Sequence, residues 1–280
     1  MKSNKNSGFI SDKEGDGVSL FRFSNLSGYN KDILHFVTTR KGGFSAPPYD
    51  NFNMGFHVKD NKEDVLKNRV KLAQSLKISP KNFTAIQQIH GTSVSIVKLS
   101  DRGRGALDSE SAINNSDAMI TDQDEICLLV LVADCVPLLL YDRNKKIIAA
   151  IHAGWKGTVG WITRRTVHKM LSFWGCNPHD IICGIGPSIG PCCYQVGPEV
   201  ITLAKKSLRN YKQVIGSISK SGKGYLNLWE ASRQQLLDCC IPEENIETAG
   251  ICTYCNSDMF FSSRRDNGMT GRFAAGIMLR

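Results

Sequence analysis

Residues 126–152 read ICLLVLVADCVPLLLYDRNKKIIAAIH, and the fold turns on how this stretch is divided. Residues 126–133 are an unbroken apolar run of strand length, which reads as a buried strand. Residues 146–151 read as another. Between the two central strands, Asp142, Arg143, Asn144 and Lys145 carry hairpin-loop chemistry. If Tyr141 pairs with Lys146, Cys135 stands opposite His152 on the same face. Opposed residues have Cβ atoms roughly 4.5–5.5 Å apart, a spacing that suits two ligands of one ion. A one-residue slip would send the two side chains to opposite faces, and Pro137 is the point where a bulge would break the register. Asp134, Cys135 and Pro137 also interrupt the run, so it falls short of the roughly 18 apolar residues that a membrane span needs.

Working outward, residues 83–89 read as a strand running into His90 and Gly91, and residues 94–99 as a further strand. Asp60 or Asn61 caps a helix through about Leu76, with Val65, Leu66, Val70, Ala73 and Leu76 on one stripe. A helix follows Gly157 and runs to about Phe173, stopped by Gly175 and Pro178. Residues 197–208 and 227–240 are further helices, the second capped by Asn227 and stopped by Pro242. Residues 272–279 close the chain as a strand, and residues 217–224 read as a flexible loop. Helices and strands alternate irregularly, so a simple parallel βαβ array is not supported. Residues 1–17 are polar and mixed in charge, and read as a flexible leader before a single domain at 18–280. They lack the apolar core of an export signal, which makes a cytoplasmic, membrane-free protein the expectation.

Of the 280 residues 41% are hydrophobic, ample for a core, which excludes wholesale disorder. The ten cysteines, in a long chain with no export signal, are expected to be reduced thiols, some of them free to bind metal. Much of the formal charge of +9 is concentrated in the acid-free stretch 201–229, with Lys205, Lys206, Arg209, Lys212, Lys220 and Lys223. The plain reading is a solvated helix face and loop. Only Tyr211 and Tyr225 are interleaved there, too few for a stacking platform, so nucleic acid is not an expected partner.

Cys135 and His152 lie at strand ends near loops, where sites are usually built. His152 is followed by Ala-Gly-Trp-Lys-Gly, which allows close backbone approach and a helix N-terminus suited to an anion. Spacing alone does not fix a third ligand; His90, at a strand-to-loop junction, is the best candidate. Two imidazoles, one thiolate and an open fourth position suit catalytic zinc, and copper tolerates the same set. Asp134, next to Cys135 on a strand, is expected to point to the opposite face.

Several stretches carry a resemblance: TTRKGGFS (38–45), NFNMGFHV (51–58), NRVKLAQSL (68–76), QQIHGTSV (87–94), ADCVPLLLYD (133–142), AAIHAGWKGT (149–158), GIGPSIGPCCYQVG (184–197) and FFSSRRDNGMTGRFA (260–274). Together they resemble the YfiH/laccase-domain family, whose members are described as purine nucleoside phosphorylases and as peptidoglycan editing factors. The resemblance implies an α+β fold of mixed sheets with flanking helices. It implies His90, Cys135 and His152 as the catalytic zinc ligands. It also implies phosphorolysis of adenosine, inosine and methylthioadenosine, with adenosine deamination as a second activity, and it sets Arg40 near bound substrate. Purine nucleosides and phosphate are then the partners; Arg40, Arg264 and Arg265 are candidates to hold phosphate bidentately. Gln195 departs from the family, where glutamate is more usual, and the basic stretch matches none of its motifs.

Three other readings stand beside this one. Cys135 is also a candidate nucleophile for hydrolysis of a peptidoglycan precursor, with a histidine as base. A copper polyphenol oxidase would need several imidazole-rich sites, which six scattered histidines serve poorly. A binding protein holding zinc structurally is the last. Elsewhere, Cys252 and Cys255 form a single C-x-x-C, a weak metal signal without a second pair. Cys192-Cys193 and Cys239-Cys240 read as core or near-core thiols, Trp155 and Trp161 as packing residues. His57, His168 and His179 receive no role.

Overall fold

The structure, a computed structural model, describes residues 9–13 and 17–280. Its architecture is α+β, with two six-stranded mixed sheets stacked face to face and helices on their outer faces. The first sheet runs, edge to edge, Ile10–Lys13, Ser19–Arg22, Ile33–Thr38, Phe273–Leu279, Cys127–Val132 and Phe83–Ala85. The second runs Ile246–Thr248, Ile181–Ile185, Val136–Asp142, Ile147–Ala153, Ala118–Thr121 and Val94–Ile96. A small third sheet joins Gln195–Val196, Gly224–Leu226 and Ile215–Ile218. Residues 217–224, expected as a loop, therefore contribute to both strands of a hairpin. Of the expected 1–17 leader, Ile10–Lys13 pairs antiparallel with Ser19–Arg22 and Phe9 stacks on Phe21 with ring centroids 4.7 Å apart. That part packs on the sheet edge, while residues 1–8 and 14–16 lie outside the described residues.

The decisive stretch is apolar throughout because its strands are buried on both faces. Along Cys127–Val132, Leu128, Val130 and Val132 face the seam between the sheets, whereas Cys127, Leu129 and Leu131 pack outward with Leu72, Ala73, Phe52 and Met54. That outer layer is the helix Lys62–Ser75, whose cap is Asn61, its side chain accepting from Glu63 N. Along Val136–Asp142 and Ile147–Ala153, Leu139, Tyr141, Ile148 and Ala150 face the seam. Val136, Leu138, Leu140, Ile147, Ala149 and Ile151 pack outward under helices that include Ile162–Trp174 and Leu228–Leu237. The helix expected from Gly157 is split in two, Trp155–Val159 and Ile162–Trp174, because Trp161 adopts a left-handed φ of 66°. No helix among the described residues is long and apolar enough to cross a membrane.

The hairpin register differs from the expected one. Asp142 pairs with Ile147, so His152 faces Pro137, and Cys135 lies beyond the last pair, Val136 with Ala153. The cause is local: Asp142 Oδ1 accepts from Asn144 N and Lys145 N at 3.0 and 2.9 Å, and Lys146 takes a left-handed φ of 55°, so Lys146 belongs to the turn. The shift is even, so Cys135 and His152 keep the same parity. Pro137 causes no bulge. It occupies a position whose carbonyl accepts from Gly186 N at 2.8 Å, while His152 N points the other way, to Asp117 O at 2.7 Å. The missing proline N–H therefore takes nothing from the pairing with Ile147–Ala153.

Candidate metal centre

The chain leaves the first sheet at Val132 and enters the second at Val136. The three residues that cross the seam end in Cys135, and Asp134 makes the turn with a φ of 91°, a conformation rare for an L-residue. Asp134 is anchored on both carboxylate oxygens: Thr253 Oγ1 donates to Oδ1 at 2.6 Å and Arg264 N to Oδ2 at 2.7 Å. The aspartate thus ties the crossover to two later loops and aims the next side chain, Cys135, at the mouth of the seam. His152 reaches the same mouth from the last turn of its strand. His90 arrives from a residue with a left-handed φ of 57°.

The ligand atoms of His90, Cys135 and His152 lie within 4.8 Å of one another. Cys135 Sγ is 4.0 Å from His90 Nδ1, and the two imidazoles meet edge to face with centroids 4.8 Å apart. Gly154 makes the closeness possible: a Cβ there would sit 2.9 Å from His90 Nδ1 and 3.1 Å from Cys135 Sγ. Behind the cluster is Asp117, wholly buried. It accepts from His152 Nδ1 at 2.8 Å and from the amides of His90 and Gly91 at 3.0 and 2.6 Å. This carboxylate–imidazole contact fixes the ring and leaves Nε2 for a metal, the usual support of a ligating histidine.

The electrostatics favour a ligating thiolate. Burial opposes ionisation of Cys135, yet the His152 and His90 imidazoles outweigh it and bring the thiol down to about 6. Burial likewise opposes protonation of His152, but the Cys135 thiolate and Asp117 raise it to about 9. For Asp117 burial is again the opposing influence, and the His152 bond with the two amides holds its carboxyl below the ordinary range. Two imidazoles and one thiolate, with room for a fourth group, fit a catalytic zinc.

The cluster opens into a cleft of about 910 Å³ whose lining includes His57, Tyr194, Arg264 and Arg272, within the size range of small-molecule sites. Of the arginines expected near substrate, only Arg264 lines this cleft; its guanidinium lies 5.1 Å over the Tyr194 ring and donates to Gln195 O at 2.8 Å. Arg40 does not. It donates to Asp50 O and Ser257 O, pairs with Asp50 Oδ2 at 3.2 Å and covers the Phe261 ring. Arg265 is also outside, spent on Asp266 and the carbonyls of Thr253 and Phe260. Both guanidiniums are held by loop carbonyls and by the neighbouring carboxylates Asp50 and Asp266.

Sequence reasoning missed Asp117, Tyr194 and Arg272, and gave His57 no role. The signal for Asp117 is the pairing of Ala118 with Ile151, which sets Asp117 beside His152, but the strand Ala118–Thr121 is too short to read. His57 is exposed on the cleft wall; desolvation by the surrounding protein first, then the charges of Arg272, Arg69 and the two site histidines, lower it to about 4. Trp155 packs into the outer core and Trp161 donates to Ser207 O; neither lines the cleft. The six basic residues of the 201–229 stretch are all exposed.

Residues 34–280 match the protein family described as Multi-copper polyphenol oxidoreductase laccase. A purine nucleoside phosphorylase of Bacteroides thetaiotaomicron is 36% identical over 260 residues, 93% of this chain and 96% of that protein. A protein named adenosine deaminase RL5, from an unknown prokaryotic organism, is 33% identical over 242 residues, 86% of this chain and 92% of that one. The crystal structure of YlmD from Geobacillus stearothermophilus superposes with a TM-score of 0.91 at 35% identity, covering 97% of this chain and 99% of that one. With sequence and fold matched over most of its length, the chain belongs to the laccase-like family that includes YfiH and YlmD.

Proposed function

We propose that this protein is a metal-dependent purine nucleoside phosphorylase acting on adenosine, inosine and methylthioadenosine, with adenosine deamination as a second activity. The observation that carries the reading is the convergence of His90, Cys135 and His152 on one point of a cleft large enough for a nucleoside, backed by Asp117. These three residues would hold zinc; copper is the alternative ion. When bound, the metal would supply a lowered water pKa or a polarised oxygen. The chain's own residues do the rest. Arg264 and Arg272 line the cleft and would neutralise phosphate as it attacks the sugar C1′ and the purine leaves. His57, lowered to about 4 by partial desolvation in the cleft and by the surrounding charges, would bond the nucleoside without adding charge. A reducing, cytoplasmic setting goes with this reading, since the thiolate must stay reduced.

The test is incubation of purified protein with inosine and adenosine, with and without phosphate, beside Cys135→Ala. Free base released only with phosphate, and lost in the variant, is the expected result. A folded, zinc-loaded protein that releases no base would refute it.

A second reading draws on the same cluster. A thiol lowered to about 6 beside an imidazole raised to about 9 is also the pairing of a cysteine nucleophile with its base, which suits hydrolysis of a peptidoglycan precursor. Thiol alkylation that abolishes activity while chelation spares it would favour this reading. A copper polyphenol oxidase has less support: of the six histidines, only His90 and His152 meet in a metal-sized cluster among the described residues.

A further inference from the structure

Four cysteines that the catalytic reading leaves unused converge elsewhere. Ligand atoms of Cys192, Cys193, Cys252 and Cys255 all lie within 4.8 Å of one another. Cys255 Sγ is 3.8 Å from Cys192 Sγ and 3.3 Å from Cys193 Sγ. A tetrahedron with metal–sulfur bonds of about 2.3 Å has edges of about 3.8 Å, so the thiols are spaced as such an ion requires. The single C-x-x-C is thus completed by the adjacent pair, of which Cys192 is exposed and Cys193 packs part-buried against the core. Cys192 and Cys255 are exposed and Cys252 is buried, giving an ion both a route in and an anchored base.

The backbone is arranged around this point. Cys193 N and Tyr194 N both donate to Gly190 O at 3.0 Å, a tight turn that lets two successive side chains reach one centre. Gly190 N donates to Cys252 Sγ at 3.2 Å, as amides do to metal-bound thiolates. Only glycine fits there: a Cβ would meet the Trp229 ring at 2.8 Å and Cys252 Cβ at 3.1 Å. The two loops are also joined by Ser188 N to Ile251 O and Thr253 N to Ser188 O.

We propose that Cys192, Cys193, Cys252 and Cys255 form a second, structural metal site, a four-thiolate centre for zinc or a similarly soft divalent ion. Its place defines its effect. Tyr194, next in sequence to Cys193, lines the cleft; Thr253, next to Cys252, holds Asp134. The ion would pin together the two loops that build one wall of the cleft, positioning Tyr194 and Asp134 without touching substrate. The proposal stands whether or not the phosphorylase reading holds.

The test is metal analysis of the full chain, purified with zinc and reductant. Two zinc ions per chain are expected. The paired change Cys192→Ser with Cys255→Ser should halve the content and lower the melting temperature, and Cys135→Ala should halve it independently. Metal content unchanged in the paired variant would overturn the proposal. So would unreduced protein lighter by two hydrogens with Cys193 linked to Cys255 and no metal there. If the paired variant does not fold, cadmium NMR on the wild type decides: a resonance in the four-thiolate range supports the site, and its absence from the cadmium-loaded chain refutes it.

Discussion

Replacing Asp117 by Asn tests whether the cluster at the seam is a metal site held by its support. The aspartate is wholly buried and accepts three bonds, from His152 Nδ1, His90 N and Gly91 N, at 2.8, 3.0 and 2.6 Å. Asparagine is nearly the same shape but offers one oxygen. If that oxygen keeps His152 and His90, the new NH2 group confronts the Gly91 amide, donor against donor. One charge-assisted bond is lost outright, and such bonds contribute about 1.5–3 kcal/mol. The His152 ring also loses the anion that orients it and raises its basicity. Changes of this kind weaken metal binding about 10–100-fold, or about 1.4–2.8 kcal/mol, which agrees with the loss of one such bond. Competition against a chelator of known zinc affinity, at fixed pH, measures it, and far-ultraviolet dichroism checks that the fold persists. A folded Asp117→Asn protein that binds zinc within twofold of the wild type would refute the assignment.

Gly154→Ala should lower zinc affinity by about 10-fold or more, since the methyl would press on both His90 Nδ1 and Cys135 Sγ and overpacking costs roughly 1–3 kcal/mol; the same chelator assay reads it. Arg264→Ala should raise the KM for phosphate by about 10-fold or more. Arg40→Ala should leave that KM unchanged and instead lower unfolding stability by about 1–3 kcal/mol, because its guanidinium serves Asp50 and Ser257. The pH dependence of stability has an identifiable contributor in His35, buried, its Nε2 accepting from Phe23 N at 3.0 Å. Burial first, then Arg22, lower it to about 3. The unfolded chain therefore binds the proton between about 3 and 6.5 while the folded chain does not, so stability falls as pH drops through that window. His35→Gln, whose carbonyl still serves Phe23 N, should remove about 2 kcal/mol of the stability difference between pH 7 and pH 5; urea titrations with an unchanged difference would exclude His35 as the cause.

What the sequence made legible was what short-range chemistry controls. Asn61 and Asn227 accept from the first turns of their helices as read, and the apolar runs became strands. The hairpin register was misjudged because the four-residue turn slid along by one, Asp142 joining the strand and Lys146 the turn; together these shift the pairing by two, so the face survived. Asp117 escaped because its meaning comes from a strand pairing across 35 residues, with no local pattern to announce it. Of the adjacent arginines, Arg264 lines the cleft and Arg265 does not, a difference hidden in sequence because an exposed loop arginine and one clamped by carbonyls look alike. The four-cysteine cluster lay in two motifs, each too weak alone, which only the third dimension joins.

The crossover at residues 133–135 has a consequence for the life of the protein. Its last residue and His152 flank one hairpin of the second sheet, whereas the third candidate ligand, His90, follows the first sheet's edge strand Phe83–Ala85. An ion held there would act as a latch between the layers, and a ligand that binds only the closed form stabilises it in proportion to its saturation. Copies made without metal would then open at the seam more often and meet proteases more often. Cellular metal supply would set how long each copy survives as well as whether it is active.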